Sequence, residues 1–165
     1  MAIYRLRREQ LLPAPPEKIW HFFSDASNLS NITPKHMGFN VTSGTLPGDV
    51  YPGQIITYTV SPILGIPLFW MTEITAVEKN RFFVDEQRRG PYSLWHHQHL
   101  FEERDGGTLM TDLVHYEVPL GFLGTIAHGL FVKAQLQKIF DFRAEAVGKE
   151  FGGNTVSDRM ELTKL

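Results

Sequence analysis

Two histidines and one aspartate carry the chemistry this sequence can offer. His97 and His99 sit two residues apart in Trp95-His96-His97-Gln98-His99-Leu100-Phe101, and Asp112 sits in Met110-Thr111-Asp112-Leu113-Val114-His115-Tyr116. A strand turns alternate side chains to one face, so Trp95, His97, His99 and Phe101 share a side, as do Met110, Asp112, Val114, Tyr116 and Val118. Asp105-Gly106-Gly107 between the two runs predicts a tight hairpin that brings both sets onto one face. The opposite face carries His96, Gln98, Glu102, Thr111, His115 and Glu117, which suits water. The inner face therefore encloses a hydrogen-bond network or lines a cavity.

An imidazole held by Asp112, with Tyr116 one alternation step further, could polarise a carbonyl or shuttle a proton. His97, His99 and Asp112 are thus the catalytic candidates. Two histidines at i and i+2 also present both rings to one side, a spacing zinc or iron could use, with Asp112 as third ligand or orienting carboxylate. A structural network or polar contacts to a ligand is the favoured reading, so no metal and no cofactor are expected. His96 points the other way and does not chelate with His97. No nucleophile elbow, phosphate loop or zinc-protease motif occurs. The absence of cysteine excludes disulfides, thiolate metal sites and a cysteine nucleophile.

These groups need elements to position them. Ala2 to Leu12 reads as a strand, ended by Pro13, Pro15 and Pro16, the last two suited to open a helix. Ile19, Phe22 and Phe23 then recur at helical spacing beside Trp20, and Leu29 with Ile32 continues a second short helical piece closed by Pro34. From Gly38 the pattern turns to strands: Phe39 to Ser43, Gln54 to Ser61, Leu68 to Glu78, Arg81 to Arg89, and then the histidine hairpin. Gly90-Pro91 turns the chain into that hairpin. A bulge there would flip which face Asp85 and Gln87 occupy, so their side stays open. Thr45 to Gln54 and Ile63 to Pro67 read as ordinary hairpin loops, with a portal rim as the alternative.

After Pro119 the period becomes helical. Leu123, Ile126, Leu130, Phe131, Leu136, Ile139, Phe140, Val147 and Phe151 mark a long amphipathic helix of about 25–30 residues. Leu120 to Gly124, glycine-rich and apolar, softens its start. Gly152-Gly153 stops it, and 152–165 reads as a polar, flexible tail.

The 165 residues fit one domain, spanning 1–151. With 42% hydrophobic and 12% aromatic residues, the chain can build a ring-rich core. A formal charge of −2 without basic runs argues against nucleic acid as main partner. No apolar run approaches the roughly 18 residues of a membrane span, so a cytoplasmic protein is the expectation. Homo-oligomerisation stays open.

The element order, strands followed by a terminal helix, indicates α+β: a curved seven-stranded antiparallel sheet gripping one long helix, with two short helices after the first strand. Here the chain resembles the START-like SRPBCC superfamily, the helix-grip ligand-binding fold. The resemblance rests on Leu11-Leu12-Pro13-Ala14-Pro15-Pro16-Glu17-Lys18-Ile19-Trp20-His21-Phe22-Phe23-Ser24-Asp25 and on Gly90-Pro91-Tyr92 with Trp95 and His97. Asp112 to Tyr116 and Gln135 to Arg143 extend it, so it covers Met1 to about Phe151. It implies an internal pocket. Trp70, Trp95, Tyr58 and Phe131 would supply apolar wall, and His97, His99, Asp112 and Tyr116 polar anchors. The superfamily includes lipid and quinone carriers and polyketide cyclases, so the fold does not transfer an activity. Binding or transport of a small-to-medium apolar molecule (lipid, isoprenoid or quinone, polyketide, aromatic) leads. A cyclase or dehydratase using a His/Asp pair, and a non-catalytic partner protein, are the alternatives.

Overall fold

A computed structural model describes residues 2–44, 48–63, 66–152 and 159–165. The chain opens with strand β1, Ile3–Leu12, whose burial alternates, with Tyr4, Leu6, Arg8, Gln10 and Leu12 turned inward. Helix α1, Pro16–Ser24, begins with proline at its first turn and buries Ile19, Trp20 and Phe23. The second helical piece is a 3-10 turn, Ala26–Ser30, whose first N–H groups are capped by the Asp25 carboxylate through Ser27 N. A further 3-10 turn follows at Lys35–Met37.

Strands β2 (Asn40–Val41), β3 (Ile55–Ile63), β4 (Ile66–Glu78), β5 (Phe82–Arg89), β6 (Leu94–Arg104) and β7 (Gly107–Glu117) then run as a meander. All pairings are antiparallel, in the order β2-β3-β4-β5-β6-β7-β1-β8. Among the described residues the sheet has eight strands where seven are expected. The added one is β8, Arg159–Lys164, which pairs with the outer edge of β1 and corrects the expectation of a flexible tail for those residues. The outer edge of β1 offers unpaired backbone groups, and a short polar segment with Leu162 turned to the Tyr4–Leu6 cluster satisfies them. Residues 153–158 of that tail, like 45–47 and 64–65 of the two glycine- and proline-rich loops, lie outside the described residues.

The terminal helical segment starts with α2, Gly121–Ala127, passes through one π-helical turn at His128–Val132, and continues as α3, Lys133–Phe151. Leu136, Phe140, Ala144, Val147 and Phe151 form the buried stripe of α3, spaced by three and four residues. Gly152, in the left-handed conformation, closes the helix. Two side chains of β1 hold α3 against the sheet: Arg8 pairs with Asp141 at 2.5 Å, and Gln10 Nε2 donates to the Ala144 carbonyl at 2.9 Å. At the other end Tyr116 Oη and His128 Nε2 hydrogen-bond at 2.8 Å, with Tyr4 stacked on the His128 ring at 3.5 Å. No helix among the described residues is long and apolar enough to cross a membrane.

The β6–β7 turn shows how tightly the chain is fitted. Gly106 (φ 89°) faces open space, whereas a Cβ on Gly107 (φ 147°) would land on the Leu12 carbonyl. Gly107→Ala should lower the unfolding free energy by about 2–4 kcal/mol through backbone collision and strain, and Gly106→Ala by only about 1–2 kcal/mol. Urea denaturation of the two variants checks this difference.

Candidate functional site

Between the concave face of β3–β6 and helix α3 lies a cavity of about 380 Å³. Its wall on the sheet side is a set of interlocked rings. Trp70 packs edge-on to Trp95 at 5.4 Å and to Tyr92 at 5.7 Å, and Tyr58 stacks on Trp70 at 5.7 Å. Trp70 can be buried because its indole N–H donates to Thr72 Oγ1 at 3.0 Å. Tyr92 is set by a clamp across the Gly90-Pro91 turn: the Gln87 side-chain amide donates to the Tyr92 carbonyl at 2.7 Å and accepts from its N–H at 3.2 Å. A Cβ on Gly90 would displace that amide, which gives the glycine its reason. Leu136, Ile139 and Phe140 close the cavity from the helix side, and Phe23, Ala26 and Met37 from the short helical pieces.

One part of the wall is ionisable. His97, His99, Asp85 and Arg143 line the cavity, and Asp112 lies behind the two imidazoles. The hairpin register pairs His99 with Asp112 across β6 and β7, as the alternation predicts. His97 Nε2 is 2.9 Å and His99 Nδ1 3.1 Å from the same oxygen, Asp112 Oδ1. On their other edges His97 Nδ1 is 3.3 Å and His99 Nε2 2.7 Å from Asp85 Oδ2. The imidazoles lie against each other with centroids 3.8 Å apart, and Phe83 stacks on His99 at 4.1 Å. Arg143 reaches in from α3, with Nη2 3.3 Å from Asp112 Oδ1 and 3.1 Å from His99 Nδ1, its guanidinium 5.1 Å from the centre of the Phe23 ring.

Burial alone would raise the pKa of both carboxyls. For Asp112 the Arg143 charge and the hydrogen bonds from both histidines outweigh it and hold the carboxyl well below the ordinary range. For Asp85 the charges of His97, His99 and Arg143 do the same to a lesser degree. Burial lowers the pKa of His97, and the neighbouring His99 lowers it further, against the pull of Asp85 and Asp112. The cluster is thus two carboxylates, one fixed cation and two imidazoles that compete for protons. Burial also raises the Tyr58 and Tyr92 phenols, which stay neutral donors.

The expected site residues divide. Trp70, Trp95, His97, His99 and Tyr58 all line the cavity. Asp112 contacts the imidazoles from behind rather than facing the cavity. Tyr116 is on the inner face but lies at the joint between sheet and helix, where it bonds His128. Phe131, expected in the wall, is 64% exposed and outside the cavity, where Val132 takes its place. The π turn inserts an extra residue and rotates the helix face relative to a regular 3.6-residue repeat. Two further residues enter the site. Asp85 is turned inward because β5 pairs with β6 in unbroken register, Phe83 opposite His99 and Asp85 opposite His97, while the β4–β5 irregularities fall on β4 at Thr75 and beyond Asp85 at Arg88. Arg143 enters from α3, where its spacing of three from Phe140 and four from Ile139 puts it on the apolar stripe.

A family model described as "Polyketide cyclase / dehydrase and lipid transport" matches residues 12–140. No curated protein sequence matches the chain. Among solved structures, TTHA0849 from Thermus thermophilus superposes with a TM-score of 0.63 at 16% identity, covering 89% of this chain and 96% of that one. Ginseng major latex-like protein 151 from Panax ginseng gives 0.65 at 12% identity, covering 92% and 99%. Protein Ms6760 from Mycobacterium smegmatis gives 0.61 at 18% identity, covering 88% and 92%. At these identities the likeness is one of fold, the helix-grip of START-like SRPBCC proteins.

Two expectations follow from the buried charges. Arg143→Met leaves Asp112 without its cation and should cost about 3–5 kcal/mol in denaturant unfolding. His97 and His128 both have pKa values lowered first by burial. The unfolded chain therefore takes up protons before the fold does as pH falls. Stability is complete above about pH 6.5 and declines below it. A second decline follows below about pH 4, as Asp85 and Asp112 are forced to protonate. Thermal unfolding between about pH 8 and pH 3 measures both declines.

Proposed function

The chain belongs to the polyketide cyclase/dehydrase and lipid transport family, and from that premise we propose that it binds a small-to-medium apolar molecule with a polar, oxygen-bearing end. The observation that carries this reading is the cavity itself: about 380 Å³, walled by rings and aliphatic side chains, with one ionisable cluster in its wall. That volume is in the range of small-molecule sites, and the ratio of apolar wall to few convergent polar groups is what such sites have in common. Trp70, Trp95 and Tyr92 supply rigid contact area at low entropic cost. His97, His99 and Asp85 receive the oxygen-bearing end. The buried Nε of Arg143 has no hydrogen-bond partner among the described residues, an unsatisfied donor next to where an acceptor would sit. Lipid, isoprenoid, quinone and aromatic polyketide skeletons all meet this description.

A second reading rests on a specific feature. His97 and His99 line the cavity, and each has a ring nitrogen hydrogen-bonded to a carboxylate, Asp112 for His97 and Asp85 for His99, as an oriented general acid or base has. A substrate with an acidic C–H beside a carbonyl would suit aldol cyclisation or dehydration there.

Titration with 1-anilinonaphthalene-8-sulfonate, then displacement by fatty acids, isoprenoid alcohols and aromatic polyketides, tests the binding reading. Trp95→Ala should weaken probe and ligand about tenfold, corresponding to the loss of roughly 1.4 kcal/mol of apolar contact. Ile139→Trp, which fills the cavity, should abolish binding while the protein stays folded. If both variants bind like wild type, the cavity is not the binding site. If the acid–base reading holds, Asp112→Asn stops turnover of the displacing polyketide with its affinity little changed.

A further inference from the structure

We infer that Asp85, His97 and His99 form a binding site for one divalent transition-metal ion, open on one side to the cavity, with Asp112 as the carboxylate that orients both imidazoles. The inference does not depend on which molecule fills the rest of the cavity. Asp85 Oδ2 is 2.7 Å from His99 Nε2 and 3.3 Å from His97 Nδ1, and one ligand atom from each residue lies within 4.8 Å of the other two. Metal bonds of about 2.0–2.1 Å place neighbouring ligand atoms about 3.0–3.4 Å apart, so the three need only small adjustment to close on an ion.

The orientation of the rings is the stronger point. A metal-binding imidazole uses one nitrogen for the ion and donates the other N–H to a carboxylate. Here both imidazoles place one nitrogen on the same oxygen, Asp112 Oδ1, at 2.9 and 3.1 Å. Donation to Asp112 leaves the lone pair of His97 Nδ1 directed at Asp85. His99 Nδ1 accepts from Arg143 Nη2 at 3.1 Å and its Nε2 donates to Asp85 at 2.7 Å, so closing on an ion moves the His99 proton to Nδ1, 3.1 Å from Asp112 Oδ1. Asp112 is itself secured by Arg143 at 3.3 Å. All three ligands line the cavity, so the remaining coordination positions are accessible to a ligand from that side.

Two imidazoles and one carboxylate with open positions suit Fe²⁺, Co²⁺ or Zn²⁺ and disfavour the oxygen-seeking Mg²⁺ and Ca²⁺. The sequence pattern leaves Asp112 as third ligand or orienting carboxylate and the face of Asp85 undecided; the inference gives the ligand role to Asp85 and the orienting role to Asp112.

The test is titration of chelator-treated full-length protein with Co²⁺ or Zn²⁺ alone, read by visible absorption of the cobalt form and by calorimetry. One equivalent should bind. His97→Gln and Asp85→Asn should remove stoichiometric binding, and Asp112→Asn should weaken it about 10–100-fold. His96→Gln, on the outer face beside Glu86, should leave it unchanged. Circular dichroism verifies folding; if Asp85→Asn does not fold, wild type and His97→Gln carry the test. Failure of folded wild-type protein to bind one equivalent overturns the inference. So does binding that persists in folded His97→Gln.

Discussion

Burying Asp112 behind two imidazoles is tolerable only because Arg143 lies beside it. An unpaired carboxylate in that position would cost several kcal/mol, so the guanidinium has to arrive from α3 and the histidines from β6. The arrangement links four elements at once: β5 through Asp85, β6 through His97 and His99, β7 through Asp112, and α3 through Arg143. A slide of the helix by one turn would separate Arg143 from Asp112. Charge compensation therefore sets the position of the helix over the sheet, and Arg8 and Gln10 of β1 hold it there.

The cavity follows from that placement. The helix is held near the cluster by Arg143 and, at its other end, by the Tyr116–His128 bond and the Tyr4 ring. Between these points Leu136 and Phe140 pack on Leu6, Val114 and Tyr116 of β1 and β7, and over the other half of the sheet a gap remains, bordered by side chains that cannot easily close it. Trp70, Trp95, Tyr58 and Tyr92 are braced against one another, edge to face or stacked. Large rigid rings have few rotamers with which to fill a neighbouring void. The polar cluster that fixes the helix is thus also the polar part of the cavity wall, so stability and the site draw on the same residues.

Much of this was legible in the sequence because period-2 alternation is strict where one face is buried. The hairpin from Leu94 to Glu117 places His97, His99 and Asp112 together as read, and the α+β helix-grip order follows from the elements. What was not legible depended on irregularity. Asp85 shares the histidine face because the bulge near Gly90-Pro91 falls at Arg88, beyond it, and where a bulge falls depends on how two strands pair and leaves no local signature. Phe131 leaves the wall because of one π turn, which a regular helical repeat does not anticipate. Strand β8 exists because β1 has an edge to cover, a tertiary demand that a short polar segment does not announce. Arg143 shows a different limit: its helical spacing was visible, but a single charge on an apolar stripe acquires meaning only once its buried partner is known.

The most direct test of the central claim is native mass spectrometry of freshly purified protein, with extraction and identification of any retained small molecule. The account predicts a stoichiometric apolar compound with an oxygen-bearing end, lost from Trp95→Ala. A bare polypeptide mass, with no mass increment after incubation with lipids, isoprenoids, quinones or aromatic polyketides, would contradict it.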